Sequence, residues 1–98
     1  MNAILSAYCA CAVCCGDWST ERGGPGLTAL GTRPLEGRTI AGPRSVPLGT
    51  WVTVRFPGGR QRLYRVEDRT ARAFDGRWDV FMADHSRARK RGVLPVTV

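Results

Sequence analysis

Long apolar runs are missing from this 98-residue chain. Its longest uncharged stretch, residues 1–16, carries Asn2, Ser6, Tyr8 and all four cysteines. That is too polar and too short for the ~20 apolar residues of a membrane helix, and no membrane span is expected. No basic segment precedes Ala3-Ile4-Leu5, and the apolar residues pass straight into a strand-like pattern, so a signal peptide is not expected either. Histidine is nearly absent. His85 lies far along the sequence from every cysteine, which denies a cysteine nucleophile its base and argues against thiol catalysis. Acidic residues are scarce too, 8 against 15 Lys plus Arg, for a formal charge of +7. The excess predicts attraction to polyanions such as nucleic acid, anionic wall polymers or acidic membrane surfaces, with a reach of about 10 Å at 0.1 M salt. Only Lys90 among the basic residues is not arginine, and arginine's planar fork suits bidentate contact with carboxylates and phosphates. The dense run Arg87-Ala88-Arg89-Lys90-Arg91 reads first as a solvated helix face and second as an anion-contacting patch.

What is present is an all-β pattern. The length allows a single domain, residues 1–98, and 43% apolar residues are enough for a small core. Short β-branched runs recur at intervals of about ten residues between Gly and Pro, the spacing of a small all-β barrel or sandwich. Strands are expected over 3–9, 38–41, 51–56, 62–68, 78–82 and 93–98. Pro57-Gly58-Gly59 should turn the third into the fourth as a hairpin. Pro95 lacks a backbone donor and belongs at an edge or bulge of the last strand. A single short helix is expected over 86–91, with Asp84 or His85 near its start and Gly92 ending it. Residues 20–37, with five glycines and two prolines, read as a long surface loop.

Two groups of residues carry chemistry. Cys9, Cys11, Cys14 and Cys15 fall within seven positions. Disulfides rank first for them, thiols packed as small apolar side chains second, and zinc or another soft metal third, because structural zinc sites usually draw ligand pairs from separate loops. The second group is Val66-Glu67-Asp68-Arg69-Thr70 with Gly76-Arg77-Trp78-Asp79-Val80-Phe81. A carboxylate on an apolar strand must be paired, hydrogen-bonded or neutralised. Asp68 capping a turn and Asp79 accepting backbone hydrogen bonds is the ordinary structural use of these residues. The catalytic use is a general acid with its proton held by burial against a wall such as Trp78 and Phe81 supply. Glu67 and Asp75 are rivals, Glu67 ranking lower because strand alternation turns it away from Asp68. Trp51, Phe56, Phe74 and Phe81 are assigned to core or groove wall, Tyr8 and Trp78 are candidates for sugar contact, and His85, Asp17 and Asp84 are read as loop or cap residues.

Ala7-Tyr8-Cys9, Cys14-Cys15-Gly16, Thr28-Ala29-x-Gly31, Ile40-Ala41-Gly42-Pro43, Val46-Pro47-Leu48-Gly49-Thr50, Glu67-Asp68, Asp79-Val80-Phe81, Ala88 and Gly92 occur in an order and spacing that resembles the three-aspartate (3D) domain family. The resemblance runs nearly end to end. It implies a six-stranded double-psi β-barrel related to the C-terminal region of membrane-bound lytic transglycosylase A and to muralytic domains of resuscitation-factor-like proteins. It further implies cleavage of peptidoglycan between N-acetylmuramic acid and N-acetylglucosamine, without a cofactor and outside the cytoplasm. Asp79 matches the family's catalytic acid and Asp68 the second aspartate of the groove, where it would raise the pKa of Asp79 by repulsion or stabilise developing positive charge. Tyr8, Thr28, Gly31, Arg69 and Trp78 become the candidates for holding substrate. Gly42 stands where the first family aspartate is expected, Arg69-Thr70-Ala71 where Thr-Gly-Gly often follows the second, and Leu30 in place of the usual Ser. A lytic transglycosylase or muramidase is therefore the leading expectation. A non-catalytic glycan-binding barrel comes second, and a nucleic-acid module third, since no phosphate-cradling loop accompanies the aromatics and arginines of residues 51–65.

Overall fold

A computed structural model of the chain describes residues 2–9, 27–70, 76–83 and 93–98. Six strands, β1 (Asn2–Tyr8), β2 (Thr39–Gly42), β3 (Trp51–Arg55), β4 (Gln61–Arg69), β5 (Trp78–Phe81) and β6 (Leu94–Thr97), close into a barrel in the order β1-β5-β2-β4-β3-β6. Every strand end falls within one residue of its expected place, because alternating β-branched residues and Gly/Pro turns are local signals. The helix expected over 86–91 lies outside the described residues, as does part of the loop over 20–37. Among the described residues no helix is long and apolar enough to cross a membrane.

The β3–β4 hairpin forms where Pro57-Gly58-Gly59 predicted it. Arg55 pairs with Gln61, Phe56 N–H bonds to Arg60 O at 2.7 Å, and Gly58 and Gly59 take φ of 93° and 90°, values that suit a residue without Cβ. The rest of the closure is less local. β1 runs parallel to β5 and β2 parallel to β4, and parallel neighbours need crossover connections rather than tight turns. β6 pairs with β1 over four residues but with β3 only through Arg55 and Thr97. Pro95 stands opposite Ile4 in the β1–β6 ladder, on the strand whose other edge is the barrel's weakest pairing.

Leu5, Ile40, Val54, Phe56, Tyr64, Val66, Trp78, Val80 and Val96 fill the interior. Two aromatic assignments diverge. Phe56 is in the core, but Trp51 is 53% exposed, because Trp51 and Val52 are adjacent apolar residues on a two-residue period and Val52 takes the inward face. Gly42 also faces inward. A Cβ built there would lie 2.9 Å from Cζ3 of Trp78 and 3.2 Å from Cγ1 of Val66. The position where the resemblance expects an aspartate therefore adjoins the core and has no room for a side chain. Gly42→Ala is expected to lower stability by roughly 1–3 kcal/mol through overpacking, read as a fall in thermal midpoint. An unchanged midpoint would mean that Trp78 yields freely.

Candidate functional site

In β5, Trp78 and Val80 turn into the core, which sets Asp79, half-buried, and Phe81, itself buried, on the other side of the strand. β1 alternates in the same phase, with Ala3, Leu5 and Ala7 inward and Ser6 and Tyr8 outward. Register then assembles one row across four strands. Ser6 pairs with Asp79, Asp79 with Ala41, and Ala41 with Asp68. Side chains paired in register share a face, so both aspartates stand on the outer face with the small side chain of Ala41 between them. Their backbones are two strand spacings apart, roughly 9.5 Å.

A bulge makes this row possible. Ile40 pairs with Val66 and Ala41 with Asp68, so Glu67 is the extra residue in β4. Fully buried, Glu67 meets the Arg38 guanidinium twice, Nε to Oε2 at 2.7 Å and Nη2 to Oε1 at 3.1 Å. Thr39 Oγ1 donates to Oε2 at 3.1 Å, and Thr32 Oγ1 donates to Oε1. Burial pushes the Glu67 carboxyl up, but the hydrogen bonds from Arg38, Thr32 and Thr39 and the Arg38 charge together hold it below the ordinary glutamate value. Glu67 is thus a structural anion rather than an acid catalyst.

Asp79 has the opposite balance. Burial raises its carboxyl above the usual aspartate value, and the hydrogen bond donated by Ser6 Oγ to Oδ1 and the nearby charge of Arg77 only partly oppose this. Repulsion from Asp68, expected from the sequence as a cause, is not among those that raise it; two strand spacings explain why. Asp68 instead collects donors: Tyr8 Oη at 3.1 Å on Oδ2, and the backbone N–H groups of Ala29 at 3.3 Å and Arg69 at 2.9 Å on Oδ1. Tyr8 also packs edge-on against Phe81, with ring centroids 5.5 Å apart and planes at 74°, so its side chain links Phe81 of β5 to Asp68 of β4.

The remaining candidates separate. Thr28 is buried and shares a 2.7 Å hydrogen bond with Thr32. Gly31 is exposed, at φ 89°, and its N–H closes the turn onto Thr28 O at 2.9 Å. These two residues shape the loop that brings Ala29 N–H to Asp68. Arg69 turns its Nη1 to Pro43 O at 2.9 Å, tying strand ends together. Trp78 is 2% exposed within the core, so its ring faces away from the aspartate row and cannot contact a sugar lying over that row; the wall beside Asp79 is Phe81. Cys9 is buried, while Cys11, Cys14 and Cys15, with Asp75 and His85, lie outside the described residues.

Sequence reasoning missed Ser6, although the alternation Ala3, Leu5, Ala7 already marked it as outward; its neighbour Asp79 is 73 residues away. A cleft of about 360 Å³ opens elsewhere, at the β3/β6 seam, lined by Arg55, Phe56, Pro95 and Thr97 among others. It has no carboxylate in its lining and offers no acid. Because the Ser6 hydrogen bond favours the ionised form of Asp79, Ser6→Ala is expected to move the Asp79 titration midpoint upward, followed by NMR of the side-chain carboxyl carbon; a downward move would contradict the assigned balance. The chain matches no family model, and no curated protein matches it either.

Proposed function

We propose that the barrel cleaves the glycan strands of peptidoglycan at the bond from N-acetylmuramic acid to N-acetylglucosamine, with Asp79 as general acid and base. One observation carries this: a carboxyl whose affinity for its proton is raised by burial stands on the outer face, one small buried residue across from a second carboxylate already held by three donors. The resemblance of the surrounding motifs to the three-aspartate domain supports the choice of substrate, which lies in the cell envelope.

A glycosidic bond breaks through an oxocarbenium-like state, and the leaving oxygen needs a proton. Asp79 donates it and becomes a carboxylate that Ser6 Oγ and the Arg77 charge stabilise. In the transglycosylase course, Asp79 then takes the proton of the muramyl C6 hydroxyl as that oxygen bonds to C1, closing a 1,6-anhydro ring with no water consumed. If water attacks instead, the product is a reducing end. Asp68, fixed by Tyr8, Ala29 and Arg69, serves as an acceptor that orients the sugar or offsets positive charge at C1.

Mass spectrometry of purified sacculi after incubation tests the proposal. Anhydro ends identify a transglycosylase and reducing ends a muramidase. Intact polymer that nevertheless retains the protein would leave a glycan-binding barrel without turnover.

A further inference from the structure

At the two ends of the β3–β4 ladder, Phe56 N–H donates to Arg60 O and Val66 N–H to Thr50 O. Hydrogen-bonded pairs alternate along an antiparallel ladder. Thr50, Val52, Val54 and Phe56 therefore turn their backbone groups to β4, and those of Trp51, Thr53 and Arg55 point to the opposite edge of β3. Among the described residues only Arg55 is paired across that edge, with Thr97 of β6. Continuing the register one way sets Pro57 against Pro95, neither of which has an N–H to give. In the other direction β6 ends at Thr97, short of Thr53. The N–H and C=O groups of Trp51 and Thr53 thus form an open strand edge. Beside it on the outer face, Trp51 and Leu63 lie diagonally across the ladder and are 53% and 56% exposed. At its far end is the cleft of about 360 Å³ lined by Arg55, Phe56, Pro57 and Pro95 among others. Residues 51–65 hold four arginines and no acidic residue, and Arg55, Arg60 and Arg62 are exposed. Glu67, the first acid beyond the hairpin, is buried against Arg38.

We propose that the β3 edge, from Trp51 to the cleft at Arg55, docks an extended acidic segment of a partner polypeptide, which joins the barrel as an added strand. Exposed edges with apolar surface are templates for such pairing. Donors and acceptors alternate at Trp51 and Thr53, and another strand supplies the matching acceptors and donors. A nucleic acid would meet the arginines and the indole but leave the two carbonyls without donors in that order. A second copy of this chain would set one basic hairpin against another, a like-charge contact that an acidic strand replaces by a complementary one. An apolar side chain opposite Trp51 gains cross-strand packing, and acidic ones lie within reach of the hairpin arginines. The site is independent of the proposed reaction, since β2 and β4 separate β3 from β5 in the barrel.

The test is fluorescence anisotropy with the full chain and a labelled peptide of alternating valine and glutamate. Two further peptides carry backbone N-methyl groups, one at every valine and the other at every glutamate. Because alternate residues of a strand turn their N–H groups to opposite edges, one methylated peptide should bind at least roughly tenfold more weakly and the other should bind as the parent does. Thr53→Pro removes an edge donor and no β3–β4 bond, and should abolish binding. Trp51→Ala should weaken it roughly tenfold, the effect of one aromatic anchor, and carries the test if the proline variant melts early. Equal behaviour of the two methylated peptides, or undiminished binding by either variant in its folded state, overturns the docking edge. Oligothymidine held more tightly than the peptide by the same residues, or a dimer in light scattering that Trp51→Ala dissociates, overturns the choice of partner.

Discussion

Asp79→Asn is expected to reduce clearance of purified cell walls at least ~100-fold, the lower range for loss of a positioned general acid, while the thermal midpoint stays level or rises. The two halves of this result have separate causes. Activity falls because asparagine retains an acceptor for Ser6 but has no proton to give the leaving oxygen. Stability does not fall because the Asp79 carboxyl is raised by burial. A carboxyl with a raised folded value contributes stability below its unfolded value and loses it as pH climbs through the folded one, so at neutral pH the ionised group is a cost that asparagine removes. The same sign fixes the activity profile, whose alkaline limb should lie above the ordinary aspartate range. Clearance by Asp79→Asn at the wild-type rate, with the fold intact, would remove Asp79 from the chemistry.

Glu67→Ala should lower stability by about 2–3 kcal/mol, because Glu67 is fully buried, its loss leaves the Arg38 guanidinium, only a third exposed, without its partner, and it releases the hydroxyls of Thr32 and Thr39. In a domain of this size that is a fall of roughly 10–20 °C in thermal midpoint. Since the Glu67 carboxyl is held below its ordinary value, its contribution is present above the unfolded value and is lost as pH falls through the folded one. The gap between wild type and Glu67→Gln should accordingly narrow in acid. A further consequence reaches the site. The Glu67 backbone O accepts from Leu30 N–H at 2.9 Å, and its side chain holds Thr32, so the loop that supplies Ala29 N–H to Asp68 hangs on this residue. A double cycle with Arg38→Met checks the assignment, and additive losses would show that the pair is not coupled.

Strand positions, the Pro57-Gly58-Gly59 hairpin and the suspicion attached to Asp68 and Asp79 could be read from the residues themselves, because alternation, turn chemistry and a carboxylate on an apolar strand are properties of a few neighbouring positions. The facing of Trp78 and Trp51 was harder. Trp78 beside Asp79 looked like a groove residue, yet a two-residue period commits it to the opposite face, and the choice between Trp51 and Val52 for the inward position is made by what the interior accommodates. Gly42 looked like a lost carboxylate, and the space beneath it is already taken by the Trp78 ring.

Local pattern thus determined that this chain makes six short strands around an apolar centre and which acids sit on them. Tertiary structure decided which strands lie side by side. Closure with β1 beside β5 and β2 between β5 and β4 brings Ser6, Ala41, Asp68 and Asp79 into one row, and a one-residue bulge puts Glu67 under Arg38 while turning Asp68 outward. Whether a carboxyl keeps its proton depends on the solvent and donors around it, and those neighbours come from positions up to 73 residues away, a distance at which no sequence period carries information.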